Sequence, residues 1–468
     1  MTAARVRAGG APVIAPAAVG SVTALRGAAM TFAADPFAVA AADALVYEPD
    51  ALVVMRDGRI AAFGPAAALL PSLPAAATVV RYPNALLVPG FIDAHVHYAQ
   101  LPVIGACGRT LLDWLEAHAF VAEERCADPA FAAAAAGAYL DECLRQGITT
   151  AAVYGTVHPG SVDALFAAAL ERGMRLIGGK ALMDRHAPAA LLDTAQRGYD
   201  ESKALIARWH GRGRLAYAVT PRFAPTSTPA QLAAAGALLR EHDGVYLQTH
   251  LAETADEIRW VQQLFPQARD YLDVYARHGL VGRRSVFGHG IHLDDDAWQR
   301  IFDAGAAVAH CPTSNNFLGS GHFRLGDAKR APRRARVALA TDVGGGTTLS
   351  MLATMAEAYK VARHTGFGLG PEQAFWLASG GGADALDLTG TIGGLAPGHD
   401  ADIAVLDLAA TPLLAYRMPF CESLSETLSV LMMLGDDRAV RATWVAGRLA
   451  HERRQPKRAP GGGRRDLR

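Results

Sequence analysis

Short apolar runs alternate with alanine-rich stretches through the middle of the chain, from about residue 85 to 395. The apolar runs have the length of buried strands, and stretches such as 130–145 and 229–242 have helical spacing. Eight such units favour an α/β fold, a (β/α)8 TIM-type barrel, over an open doubly wound sheet. The predicted strands are 85–92, 148–154, 174–180, 214–220, 244–250, 285–289, 306–310 and 337–342.

Both ends of the chain are rich in strand patterns instead. Residues 51–63 predict a hairpin whose turn is Asp57-Gly58, and 402–407 and 439–447 predict two further strands. Because these segments flank one long middle, we expect a small β-sandwich domain built from both chain ends. The expected parts are a disordered start (1–20), the β-sandwich domain (21–84 and 396–450), the catalytic barrel (85–395) and a disordered tail (451–468).

The composition narrows the classes of partner. Lys plus Arg and Asp plus Glu are balanced at 45 each, so no general electrostatic attraction to nucleic acid or to an anionic membrane is expected. No strongly apolar run is long enough for a membrane span, and the first 20 residues are too weakly hydrophobic for an export signal. The five cysteines are scattered and form no CxxC, which indicates a reducing cytoplasm. The expected partner is a small molecule.

Two histidines one residue apart, His95 and His97, follow the first apolar run. Side chains at positions i and i+2 of a strand point to the same face. Both imidazoles can therefore reach one point at the end of a strand, and imidazole is a common ligand of zinc and iron. The pair predicts a metal site, provided that other parts of the chain supply further ligands.

Three more polar residues end predicted strands: His250, His289 and Asp342 follow the fifth, sixth and eighth. In a TIM barrel, chemistry takes place at this end of the strands. Together with the histidine pair they make five candidate residues, one more than a four-coordinate zinc needs. The fifth residue can serve as a base or as an outer ligand. No lysine ends the fourth strand (214–220) to bridge a second metal, so one metal per chain is expected.

Glu253 lies three residues after His250, an offset that lets its carboxylate face the same cavity. Hydrolysis of a C–N bond in a heteroaromatic ring requires two proton movements. A metal lowers the pKa of water to about 7, and a carboxylate must carry a proton to the ring nitrogen. Asp342 can accept the proton of the water while Glu253 delivers one to the substrate. The alternative interpretation is that Glu253 is a solvent-exposed charged residue of a loop with no role in catalysis.

With these residues assembled, the chain from about 22 to 450 resembles the amidohydrolase superfamily, and within it the branch that deaminates guanine. The segments that carry the resemblance are 89–97, 183–185, 208–211, 220–224, 248–253, 310–315, 341–347 and 397–402. The resemblance implies that zinc-activated water hydrolyses the C2 amino group of guanine to give xanthine and ammonia. It implies His95, His97, His250 and Asp342 as metal ligands, with His289 near the metal and the water.

The resemblance also implies a set of substrate-binding residues. Gln100 matches an amide that contacts the purine edge, Arg222 a cation that hydrogen-bonds its acceptors, and Phe223 an aromatic ring that packs on it, beside Glu253. These side chains suit guanine, because guanine presents O6 and N7 as neighbouring acceptors and an arginine fork matches two acceptors. The expected cofactor is one Zn²⁺ per chain, although Fe²⁺ suits the same ligands. The expected assembly is a homodimer.

Two other hypotheses remain open at this point. A related amidohydrolase that acts on an 8-oxopurine, a pterin or an s-triazine would keep the metal ligands and Glu253 but lack the Arg222-Phe223 pair and Gln100. A non-catalytic scaffold would have lost ligands, whereas every expected ligand is present in this sequence.

Overall fold

The computed structural model describes residues 20–108 and 110–453. Its strands form two sheets, one of seven strands and one of nine. The strands are β1 Val22–Phe32, β2 Leu45–Arg56, β3 Arg59–Pro65, β4 Thr78–Pro89, β5 Phe91–His97, β6 Ile148–Tyr154, β7 Arg175–Gly179, β8 Ala181–Leu182, β9 Leu215–Pro221, β10 Tyr246–Leu251, β11 Ser285–His289, β12 Ala307–His310, β13 Arg336–Leu339, β14 Ile403–Asp407, β15 Val440–Val445 and β16 Arg448–Glu452.

The helices lie mainly between the strands of the larger sheet. They are α1 Ala41–Ala44, α2 Ala66–Leu69, α3 Leu111–Trp114, α4 Phe120–Glu124, α5 Pro129–Arg145, α6 Pro159–Arg172, α7 Ala195–Trp209, α8 Pro229–Glu241, α9 Ala255–Leu264, α10 Tyr271–Ala276, α11 Asp295–Asp303, α12 Pro312–Phe317, α13 Leu325–Ala328, α14 Met351–His364, α15 Pro371–Leu377, α16 Gly380–Ala385, α17 Pro412–Arg417 and α18 Leu424–Leu434. None of the helices in the described ranges is long and apolar enough to cross a bilayer.

The larger sheet is a parallel barrel. Its strands follow the order β5-β6-β7-β9-β10-β11-β12-β13, with the short β8 paired to β9. Backbone hydrogen bonds then join the first strand to the segment after the last one, from Asp342 N to His95 O (2.9 Å) and from His97 N to Val343 O (2.7 Å). The predicted (β/α)8 fold is confirmed, and the closing bonds bring the histidine pair directly beside Asp342.

One predicted strand is wrong in its first half. The run 85–88 lies in β4, which pairs with β1 and β14 in the smaller sheet, and the first barrel strand is β5. Gly90 lies between the two strands, and a side chain has no room there, because a Cβ would lie 2.3 Å from Oγ1 of Thr149. An apolar run continues across both strands, so periodicity alone does not reveal the division. The other seven predicted barrel strands each overlap an observed one.

The smaller sheet is mixed and is built from both ends of the chain, as the fold-class prediction requires. Its order is β16-β15-β14-β4-β1-β2-β3. The β2–β3 turn at Gly58 contacts the β15–β16 turn at Ala446 and Gly447, although these hairpins stand at opposite ends of the strand order. The sheet therefore coils around its own apolar core. Strand β16 reaches Glu452, inside the predicted tail, while residues 1–19 and 454–468 of the predicted disordered ends lie outside the described residues.

Buried ion pairs attach the smaller sheet to the barrel. Arg214, just before β9, donates from Nη1 to Asp402 Oδ1 (3.0 Å) and to Gly173 O (2.9 Å), and also pairs with Asp400. Arg175 donates to the same Asp400 (2.7 Å). Both aspartates precede β14, so the segment 397–402 joins the two sheets.

Replacing Arg214 by glutamine is expected to lower the free energy of unfolding by about 3 kcal/mol, because buried Asp402 loses its charged partner. Urea denaturation followed by circular dichroism measures the change. Arg208→Gln is the control, since Arg208 is about half exposed and pairs with Asp163 at the surface; a loss below about 1 kcal/mol is expected there. Equal small losses in both variants would contradict a structural role for the buried pairs.

Candidate active site

The polar residues expected to bind a metal all lie at one mouth of the barrel. His95 and His97 end β5, His250 lies in β10, His289 ends β11, and Asp342 follows β13. His289 and Asp342 have positive φ values (69° and 50°), a conformation that costs energy for residues other than glycine. Such strain persists at sites where side-chain direction matters, and here both side chains are directed at the same point.

The distances between the side-chain atoms indicate a metal site. One nitrogen or oxygen from each of His95, His250, His289 and Asp342 lies within 4.8 Å of the others. His97 Nε2 is 3.1 Å from His250 Nε2 and 3.5 Å from Asp342 Oδ1. The structure therefore brings together all five residues that the sequence singled out. His289 belongs to the group within 4.8 Å, whereas His97, one of the four ligands that the resemblance implied, lies just outside it.

The protonation states suit a cation. Burial lowers the pKa of His95, His97 and His250, so their imidazoles are neutral and offer lone pairs. Burial alone would raise the pKa of Asp342, but the adjacent imidazoles, that of His95 foremost, hold it well below its ordinary value. The cluster thus combines neutral nitrogen ligands with one carboxylate.

Hydrogen bonds behind the cluster orient two of the imidazoles. His250 Nδ1 donates to Arg222 O (2.6 Å), and His289 Nδ1 donates to Asn315 Oδ1 (2.8 Å), so that each Nε2 faces the centre. In the described part of the chain, the buried Nε2 atoms of His95 and His289 have no hydrogen-bond partner. Unpaired buried nitrogens that converge with a carboxylate fit a divalent metal ion.

Glu253 lies at the edge of the cluster. Its Oε2 is 3.4 Å from His289 Nε2, and its Oε1 accepts a hydrogen bond from Ser320 (2.8 Å). Burial raises the pKa of Glu253 to about 7, against the opposing effect of His289. A carboxyl group with this pKa exchanges protons near neutral pH, which is the property that a general acid needs.

A cavity opens beside the cluster. The predicted substrate-binding residues Gln100, Arg222 and Phe223 all line it, together with Glu253. Phe223 stands edge-on to the His250 ring, with ring centroids 6.5 Å apart. The remaining wall is apolar and is formed by Leu111, Trp114, Leu115 and Leu318. A flat ring with polar edges matches this combination of an apolar wall and a few polar groups.

Sequence reasoning missed several of these residues. Leu111, Trp114 and Leu115 have helical spacing, which indicates an apolar face but does not distinguish a cavity wall from core. Glu123, which contacts both Arg222 and Gln100, lies next to Glu124 in a helical stretch and gives no signal of its own. Only the tertiary fold shows that it is buried behind the cavity.

Comparison with known proteins places this site in a family. The sequence profile of the amidohydrolase family matches residues 86–450. The guanine deaminase of Escherichia coli K12 is 46% identical over 412 residues, which cover 88% of this chain and 93% of that protein. The solved structure of E. coli guanine deaminase has a TM-score of 0.89 at 44% identity and covers 93% of this chain and 100% of the other. Guanine deaminase from C. acetobutylicum, solved with guanine in its active site, has a TM-score of 0.82 at 25% identity and covers 92% and 100% of the two chains.

Proposed function

The chain belongs to the amidohydrolase family, and we propose that it hydrolyses the C2 amino group of guanine to give xanthine and ammonia. It is a hydrolase of cyclic-amidine C–N bonds. The observation that carries this function is the adjacency of the histidine–aspartate cluster and Glu253 to a cavity that contains Arg222 and Gln100. Relatives that cover most of the chain are guanine deaminases.

The cluster fits a single divalent metal, for which we propose zinc. His95, His97, His250 and Asp342 would hold it, with His289 at the side that faces Glu253. When bound, the metal lowers the pKa of water to about 7 and so supplies a nucleophile at neutral pH. Iron(II) suits the same ligands. The hypothesis of a non-catalytic scaffold is not favoured, because a scaffold would have lost metal ligands and every expected ligand is present.

The protein's own carboxylates move the protons. Asp342 Oδ2 is 3.7 Å from His289 Nε2 and lines the cavity, where it can accept a proton from the attacking water. Glu253 Oε2 is 3.4 Å from the same nitrogen, and Glu253 can protonate the ring nitrogen next to C2. His289 contacts both carboxylates, and their negative charges overcome the effect of burial and raise its pKa. The imidazole therefore stabilises both carboxylates.

The cavity provides the recognition of guanine. Arg222 Nη1 is occupied by Glu123, and the rest of its fork can donate to O6 and N7 of the purine. Gln100 contacts another edge, and Phe223 packs against the ring. An s-triazine or pterin substrate is not favoured, because the paired Arg222-Phe223 and Gln100 predicted for a guanine site all line the cavity.

Replacing Arg222 by alanine is expected to raise the KM for guanine about thirtyfold or more, because polar groups of the purine lose their donors. Metal content is expected to stay at the wild-type level. Steady-state kinetics and metal analysis on one preparation separate the two effects. Arg185→Ala is the control, since its guanidinium packs over Phe265 and is absent from the cavity wall. An unchanged KM in the Arg222 variant would remove this residue from purine recognition.

We further propose that the enzyme is a homodimer and that it acts in the cytoplasm. There it would catalyse one step of purine catabolism. The five cysteines are all free, which supports a reducing compartment. Leu413, Tyr416 and Phe420 are exposed apolar side chains around α17, and they support self-association. Light scattering tests the mass in solution: twice the chain mass supports the dimer, and the mass of one chain contradicts it.

A further inference from the structure

Glu123 is a buried carboxylate behind the cavity wall, and its side chain is only 1% exposed. Its two oxygens accept hydrogen bonds from Arg222 Nη1 at 2.7 and 2.8 Å. Oε1 also accepts a hydrogen bond from Gln100 Nε2 at 2.7 Å. One side chain from α4 thus holds two cavity residues that follow different barrel strands, Gln100 after β5 and Arg222 after β9. Glu123 itself is not part of the cavity lining.

We propose that Glu123 is the positioning residue that sets the selectivity of the cavity for a purine with an oxygen at C6. This inference rests on the proposed function, since it concerns how the same cavity recognises guanine. Glu123 acts through Arg222 and Gln100 and does not contact the substrate.

The contact with Arg222 fixes the direction of the guanidinium. Both carboxylate oxygens bond the same terminal nitrogen, so Nη1 is held on Glu123 while Arg222 lines the cavity. The Phe120 ring lies 5.3 Å from Arg222 Cζ and restricts the plane from one side. The backbone oxygen of Arg222 accepts the hydrogen bond of His250 Nδ1, so this arginine stands directly against the metal cluster. A buried cation at this place requires a counter-charge, and Glu123 supplies it.

The contact with Gln100 fixes the orientation of an amide. Gln100 donates to Glu123 through Nε2, and its Oε1 accepts from the backbone N–H of Gly344 (3.2 Å). A rotated amide would set its oxygen against the carboxylate and its NH₂ against the Gly344 N–H. Both contacts would be repulsive, so Glu123 and Gly344 together select one orientation. Without the carboxylate, the side chains of Gln100 and Arg222 lose the shared partner that fixes their positions relative to one another.

The test compares guanine with 2-aminopurine, which keeps the ring and the C2 amino group but lacks O6. In Glu123→Gln, the KM for guanine is expected to rise about thirtyfold, whereas the inhibition constant of 2-aminopurine rises about threefold or less, because 2-aminopurine offers the mispositioned donors N7 but no O6. The matched control is Glu124→Gln, which makes the same change one residue along the chain. It is expected to stay within about twofold of the wild type for both ligands.

A double variant shows whether Glu123 works through Arg222. In the Arg222→Ala background, the Glu123→Gln change is expected to raise the KM for guanine by about threefold or less, since its partner is already gone. A further thirtyfold rise would overturn the proposal. Equal weakening of guanine and 2-aminopurine in Glu123→Gln would also overturn it, because loss of structure alone would affect both ligands alike.

Glu123→Asp keeps the charge but is one methylene shorter, and it is expected to recover most of the guanine selectivity. If Glu123→Gln does not fold, Glu123→Asp serves as the test variant. It is then expected to lose part of the preference for guanine over 2-aminopurine, but less than Arg222→Ala loses. Wild-type turnover of guanine is measured first. If it is absent, the proposed function fails. If it is present and Glu123→Gln leaves the selectivity unchanged, only the role of Glu123 fails.

Discussion

Glu253→Gln is expected to retain the metal and to lower kcat for guanine by about a hundredfold or more. The amide has the same shape as the carboxyl group and can still accept the hydrogen bond from Ser320. It cannot deliver a proton to the ring nitrogen, so only the proton transfer is removed. Measuring kcat, KM and metal content on one preparation isolates this step.

The control for this variant is Asp256→Asn, three residues along the chain, whose side chain is exposed at the start of α9. It is expected to turn over guanine like the wild type. More than half of the wild-type kcat in Glu253→Gln would exclude Glu253 from proton transfer. Loss of metal in parallel with activity would assign Glu253 to metal binding instead.

Asp342→Asn is expected to lower turnover by about a thousandfold or more and to weaken metal binding. In the proposed mechanism, the charge of this carboxylate would balance the cation, and its oxygen would accept the proton of the attacking water. Asparagine keeps the shape and tolerates the positive φ of 50° at this position, so the backbone conformation is preserved. Metal analysis and activity with added zinc separate weak binding from the loss of the base.

The matched control is Asp387→Asn, since Asp387 has a similar φ of 54° but pairs with Arg283 and Arg284 away from the site. Activity close to that of the wild type is expected. Full activity of Asp342→Asn at saturating zinc would mean that another group accepts the proton of the water.

The sequence predicts the barrel and the cluster because both depend on local signals. An apolar run of strand length shows its own burial, and a polar residue at its end marks the mouth of the barrel. For this reason His250, His289 and Asp342 could be proposed as neighbours although they are far apart in the chain. Each of them lies at the same mouth in the structure.

Features that depend on tertiary packing could not be predicted in this way. The division between β4 and β5 is hidden in a single apolar run, and the close approach of Thr149 to Gly90 is visible only once the fold is known. Glu123 meets Arg222 across 99 residues of sequence, and neither residue type nor spacing indicates the contact. Likewise, the apolar face of Leu111 and Trp114 has the pattern of any core-facing helix.

The most direct test of the function is the conversion of guanine by the purified chain, with xanthine and ammonia measured together and metal content determined on the same sample. The expected result is equal amounts of the two products from a protein that carries about one zinc per chain. A protein with a full metal site that forms no xanthine from guanine would contradict the proposed function.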